Sequence, residues 1–149
     1  MYTIGEVSRM FDIPVSTLRY YDKEGLFPGM RRDSGIRKFS EQEIDALRVI
    51  DCLKKSGLEI KDIKRFMGWC VEGSSTYPER LALFRRQKQC VEEEMERLQQ
   101  VQAMLRFKCW YYEQALQDGS EERLRHMKPE EMPKDIRKAY AQSHPTLGE

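Results

Sequence analysis

"TIGEVSRMFDIPVSTLRYYDKEGLFP", residues 3–28, governs how the rest of the chain is read. Thr3 with Glu6 three residues on has the form of a capping box, and Ile4, Val7, Met10 and Phe11 then fall on one helical face. A second helix begins near Pro14 or Ser16, turns Leu18 inward and ends at Gly25. Two short helices joined by so brief a turn form a helix-turn-helix pattern. The second helix sets Arg19, Tyr20 and Tyr21 side by side, and the expectation is that all three face outward.

The next stretch, "FPGMRRDSGIRKFS" (residues 27–40), has an Asp-Ser-Gly turn followed by Ile36, Arg37, Lys38 and Phe39, and reads as a two-stranded wing. From Ser40, "SEQE" repeats the capping-box form and starts a helix that runs to Gly57, and "EIKDIKRFMGWCVEG" supplies a fourth that stops at Gly73. Residues 1–73 therefore form a head. The whole chain is nearly neutral, with 26 basic and 25 acidic residues. Residues 15–40, in contrast, hold six basic and three acidic side chains. The basic surface is local: Arg19 on the second helix, and Arg31, Arg32, Arg37 and Lys38 on the wing. Cations neutralise phosphate and rigid phenols reach backbone oxygens, so this grouping suits double-stranded DNA.

Residues 74–118 differ in kind. Leu81, Phe84, Lys88, Val91, Met95, Leu98, Gln102, Leu105, Cys109 and Tyr112 are spaced 3, 4, 3, 4, which is a heptad seam. At about 1.5 Å per residue such a helix approaches 60 Å, too long to bury its stripe against the head. It calls for a second copy of itself, with Lys88 and Gln102 restricting the register. The remainder, 119–149, contains three prolines and at most two short helices, at 120–127 and 133–142, and reads as a docking or effector segment. The expected fold class is mainly α: a winged helix-turn-helix head, a long antiparallel coiled-coil dimerisation helix and a short C-terminal tail.

Other classes lack their residues. Cys52, Cys70, Cys90 and Cys109 form no CxxC pair, against both a disulfide framework and a zinc site, so reduced thiols and a cytoplasmic protein are expected. No apolar run approaches the roughly 18 residues of a membrane span. Both histidines, His126 and His144, lie in the tail, and no nucleophile-base pair or glycine-rich phosphate cradle occurs. Neither an enzyme nor a cofactor is expected.

With these motifs in order, "TIGEVSRMFDIPVSTLRYYDKEGLFP", the wing "SGIRKFSEQEIDALRVI" and "KKSGLEIKDIK" resemble the head of the MerR family of bacterial transcription regulators, over about residues 2–72. The resemblance implies that Thr17, Arg19, Tyr20 and Tyr21 lie on the recognition helix, that Arg37 lies on the wing, and that Lys54 is a further phosphate contact. Ser16, Arg31, Arg32 and Lys38 are added by charge and placement alone. It also implies a homodimer on a palindromic operator, distorting promoter DNA for RNA polymerase in response to an effector.

The effector remains open among three readings. Metal-sensing relatives carry cysteines at the start of the dimerisation helix and just beyond its end; here "STYPERLALF" has none and no Cys follows Cys109, so no metal site is expected. Cys52 in "VIDCLKKSG" falls where the aldehyde- and redox-responsive NmlR or AdhR branch has its reactive cysteine, with Arg48 and Lys55 on its helix face to favour a thiolate; otherwise it is a small buried hydrophobe. Trp110, Tyr111 and Tyr112, with Met127 and Met132, would line an apolar small-molecule pocket, or else serve packing. The tail is too short for a separate ligand domain of the large drug-binding sort. A non-DNA-binding coiled-coil interaction protein would account for the rod but not for the wing.

Overall fold

A computed structural model describes residues 1–146. The elements are α1 (Ile4–Phe11), α2 (Val15–Lys23), β1 (Arg31–Asp33), β2 (Ile36–Lys38), α3 (Glu41–Lys55), α4 (Ile60–Glu72), α5 (Tyr77–Asp118), α6 (Glu122–Arg125) and α7 (Lys134–Ser143). Single 3-10 turns occupy Ser74–Thr76 and Pro129–Glu131. The chain divides into two compact units, one ending at Cys90 and one starting at Val91, so the division falls within α5.

Local chemistry accounts for the element ends. Thr3 and Glu6 close a reciprocal box, with Glu6 Oε2 accepting from Thr3 N at 2.7 Å and Thr3 Oγ1 accepting from Glu6 N at 3.3 Å. Ser40 and Glu43 do the same for α3. The wing pairs Arg31 with Lys38, Arg32 with Arg37, and Asp33 with Ile36. Ser34 and Gly35 take φ of 50° and 82°, and two left-handed residues in succession match the right-handed twist of a hairpin. Tyr2 and Phe39 exchange backbone hydrogen bonds at 2.8 and 2.9 Å, pinning the N-terminus beside the end of β2.

The core of the first unit joins Val7 of α1, Leu18 of α2, Phe39 at the wing base, Ile44, Leu47, Ile50 and Leu53 of α3, and Ile63 of α4. Each such side chain contributes about 1.5–3 kcal/mol by leaving water. The opening turns of α5 belong to this unit: Leu83 is buried in the same core, and Phe84 meets Phe66 edge-on at 5.4 Å. Arg80 donates to the carbonyls of Trp69 and Gly73 at 2.8 and 2.7 Å, capping the C-terminal end of α4 from the first turn of α5.

Three expectations are corrected here. Tyr21 is only 5% exposed and packs with the core, because it lies three residues after Leu18 and shares its face. Met10 is exposed: of the apolar set on the two turns of α1 only Val7 is fully buried, with Ile4 and Phe11 half-buried. Cys52 is exposed and is not a buried hydrophobe; its neighbour Leu53 takes the inward position on α3.

In the second unit Phe107, Met132 and Ile136 form a small core, against which Met104, Trp110, Tyr111, Met127 and Tyr140 pack. The tail thus folds onto its own α5, held also by Arg106–Asp135 at 3.0 Å. Helix α6 falls inside the expected 120–127, and α7 follows the expected 133–142 but runs one residue beyond it, to Ser143. Along α5, Leu81, Phe84, Val91, Met95, Leu98, Leu105 and Tyr112 of the seam are all exposed in the single chain. No helix of the described residues is long and apolar enough to cross a membrane.

Candidate nucleic-acid interface

Helix α2 and the wing enclose a cleft of about 450 Å³ lined by Ser16, Arg19, Tyr20, Asp22, Lys23, Arg32 and Arg37. Leu18 and Tyr21 anchor the inner face of α2, which leaves Ser16, Arg19 and Tyr20 on the outer one, Tyr20 with 47% of its surface open. Four cations therefore converge on one opening between a helix and a hairpin, an arrangement matched to a phosphate chain entering a groove.

One carboxylate organises the cleft. Asp22 Oδ2 accepts from Arg37 Nε at 2.7 Å and from Arg32 Nη2 at 2.8 Å, joining α2 to both strands of the wing. The sequence reading missed Asp22. Its ion pairs span 15 and 10 residues, and only the packed wing brings them together.

Of the other expected residues, Thr17 is half-buried on α2, Lys38 is half-buried on β2, and Arg31 is exposed on β1. Lys54 is exposed on α3 and does not line the cleft. Burial, more than the nearby Asp51 and Tyr20, raises the pKa of the Tyr21 phenol, consistent with its inward position.

Neither effector candidate lines the cleft. Cys52 is exposed, but the cations expected to favour its thiolate are paired with acids: Arg48 with Asp45 at 2.7 Å and Lys55 with Asp51 at 2.8 Å. Of the aromatic group, Trp110 and Tyr111 pack in the small core with Met127 and Met132, so the side chains expected to line a pocket fill it. Partial burial and then a hydrogen bond to Glu121 raise the pKa of the Tyr111 phenol. Tyr112 stands outside this core and is exposed. Among the described residues, no three His, Cys, Asp or Glu side chains gather in a way that could hold a metal ion.

A helix-turn-helix whose second helix and basic wing share one cleft is a winged-helix DNA-binding head. Residues 2–68 match the model of the MerR HTH family of regulatory proteins. Over 120 residues the chain is 38% identical to an HTH-type transcriptional regulator of Haemophilus influenzae, spanning 80% of this chain and 89% of that one. It is 37% identical in sequence to HiNmlR, described as a MerR family regulator lacking the sensor domain, solved bound to promoter DNA; the match has a TM-score of 0.72 and covers 81% of this chain and 97% of that one. A third relative is AdhR of Bacillus subtilis, 36% identical over 74 residues, about half of each chain. The chain belongs to the MerR family of helix-turn-helix transcription regulators. It is a DNA-binding regulator of transcription, in a family that is not enzymatic.

Proposed function

We propose that the chain acts in the cytoplasm as a homodimer that binds a palindromic promoter operator and changes the shape of that DNA for RNA polymerase when an effector is present. The observation that carries this reading is the seam of α5, whose apolar side chains are exposed in the single chain while the cleft of each head is basic. A second, antiparallel copy of α5 covers such a stripe and presents two clefts to one duplex. The promoter-DNA complex of HiNmlR supports the choice of ligand. In this reading residues 1–73 bind DNA, 74–118 dimerise and the tail, described to residue 146, docks on the long helix.

On the operator, Ser16 and Thr17 lie early on α2 and reach base edges, whereas Arg19, Tyr20, Arg37, Lys38 and Lys54 hold the backbone. Tyr21 buttresses the helix from behind. Regulation then trades deformation energy between two DNA shapes, biased by whichever dimer state the effector favours. Exposure of Cys52 supports an electrophile or oxidant as that effector, and the packed state of Trp110 and Tyr111 weighs against an apolar drug.

Sedimentation of the purified protein at micromolar concentration, paired with anisotropy on a duplex, tests the proposal. A dimer with salt-dependent affinity is expected, and a monomer indifferent to duplex DNA removes it.

A further inference from the structure

The cleft holds an acid where phosphates are to bind. Asp22 lines the cleft with Arg19 and Lys23 of its own helix and with Arg32 and Arg37 of the wing, and a carboxylate there repels the polyanion that the four cations attract. Its side chain is 13% exposed, against 22% for Arg37 and 51% for Arg32, so it sits behind the arginines and not in front of them.

What the carboxylate provides is a fixed wing. Each strand has only three residues, and an isolated two-stranded hairpin is marginal in water. Arg32 and Arg37 are direct partners across the two strands, and both donate to the same oxygen of Asp22. One acid therefore fastens both strands to α2 at a single point. Binding to arbitrary DNA needs only the sum of positive charge, whereas binding to an operator also needs helix and wing in one register.

Resting on the assignment of this cleft as the DNA interface, we infer that Asp22 is a positioning residue that raises selectivity. Its bonds hold the wing in register with α2, and its charge lowers affinity for DNA of any sequence. Arg32, the more exposed partner, is free to swing wholly to a phosphate, while Arg37 keeps its Nε on Asp22 and offers its remaining N–H groups to the DNA backbone.

Two substitutions separate bond from charge. Asp22→Asn keeps an oxygen for Arg37 Nε and removes the charge; Asp22→Ala removes both. Full-length variants are titrated by anisotropy between about 50 and 200 mM salt, the range in which phosphate contacts are read. Two duplexes are used: one selected by the unaltered protein from a random-sequence pool, and its scrambled counterpart.

The expected result for Asp22→Asn is tighter binding to the scrambled duplex and a salt slope steeper by about 0.9, the signature of one additional phosphate contact. Asp22→Ala steepens the slope too, but its preference for the selected duplex falls by roughly an order of magnitude, the scale of one base pair's discrimination. An unaltered slope for Asp22→Asn overturns the inference, and so does equal selectivity in the two variants. Arg37→Ala supplies the control: if it binds like the unaltered protein, the interface assignment and this inference fall together. If Arg37→Ala weakens binding while Asp22→Asn changes nothing, only the role of Asp22 is lost.

Discussion

Gln87 on α5 donates from Nε2 to Ser56 Oγ at 3.0 Å, and Ser56 Oγ in turn donates to the carbonyl of Leu53 at 2.7 Å. The amide is 8% exposed and closes the C-terminal end of α3, the helix that carries Cys52 and Lys54. An amide buried this deeply is worth its hydrogen bonds, because its removal leaves a half-buried Ser56 without its donor. Gln87→Leu keeps the volume and drops both donors. A loss of about 1–2 kcal/mol is expected. Thermal unfolding reads this as a fall in Tm of about 2–4 °C per kcal/mol, and a Tm equal to that of the unaltered protein shows the contact to be idle.

Tyr20 and Tyr21 are adjacent in sequence and opposite in consequence. Tyr21→Ala empties a core position and costs about 3–5 kcal/mol, whereas Tyr20→Ala leaves stability within about 0.5 kcal/mol and weakens DNA binding. A second readout is alkaline. Burial raises the Tyr21 pKa above its unfolded value, so the folded state holds this proton more tightly than the unfolded one. Its contribution is complete below the unfolded value of about 10 and is lost as pH rises through the folded value. Urea titrations on either side of about pH 10 therefore show a shallower loss of stability for Tyr21→Phe than for the unaltered chain. Parallel curves refute the inward assignment.

The contrast between these tyrosines shows where sequence alone suffices. Both capping boxes, the Asp33-Ser34-Gly35 turn and the stop at Gly73 depend on residues a few positions apart, so periodicity and turn chemistry expose them. Tyr21 was legible too, since it follows Leu18 by three, but the triplet Arg19-Tyr20-Tyr21 draws the eye to the outer face. Asp22 was not legible: a lone acid after two tyrosines gains its meaning only when the wing returns Arg32 and Arg37 to it. The tail is an intermediate case. Met127 and Met132 could be grouped with Trp110 from the sequence, but whether they line a pocket or fill it is decided only when the tail returns them to Phe107.

Cys52 gives a prediction of the opposite kind, in which the fold is unaffected. The side chain is exposed on α3, so Cys52→Ser should change stability by less than about 0.5 kcal/mol. It should abolish induction of a promoter reporter by aldehydes or oxidants. Since Cys70 and Cys90 are exposed as well and lie off the seam of α5, serine variants of these serve as controls and should induce normally. Full induction in Cys52→Ser removes the thiol switch.

The exposed seam leads to a separation of head from assembly. Leu98 is 50% exposed in the single chain and forms an apolar groove with Met95, Val101 and Leu105, so a charge placed there meets no neighbour within the chain that it would disrupt. In a paired seam the same charge is buried against a second copy, unpaired, at a cost of several kcal/mol. Leu98→Glu should therefore sediment as a monomer at micromolar concentration while the thermal transition of the head persists. Each head then binds its half-site alone, without the effective concentration that linkage supplies, and operator affinity should drop by about 10²-fold or more. Arg19→Ala in the same assay should weaken binding yet leave the dimer whole. A Leu98→Glu protein that remains dimeric would move the interface off this seam and onto another face of α5.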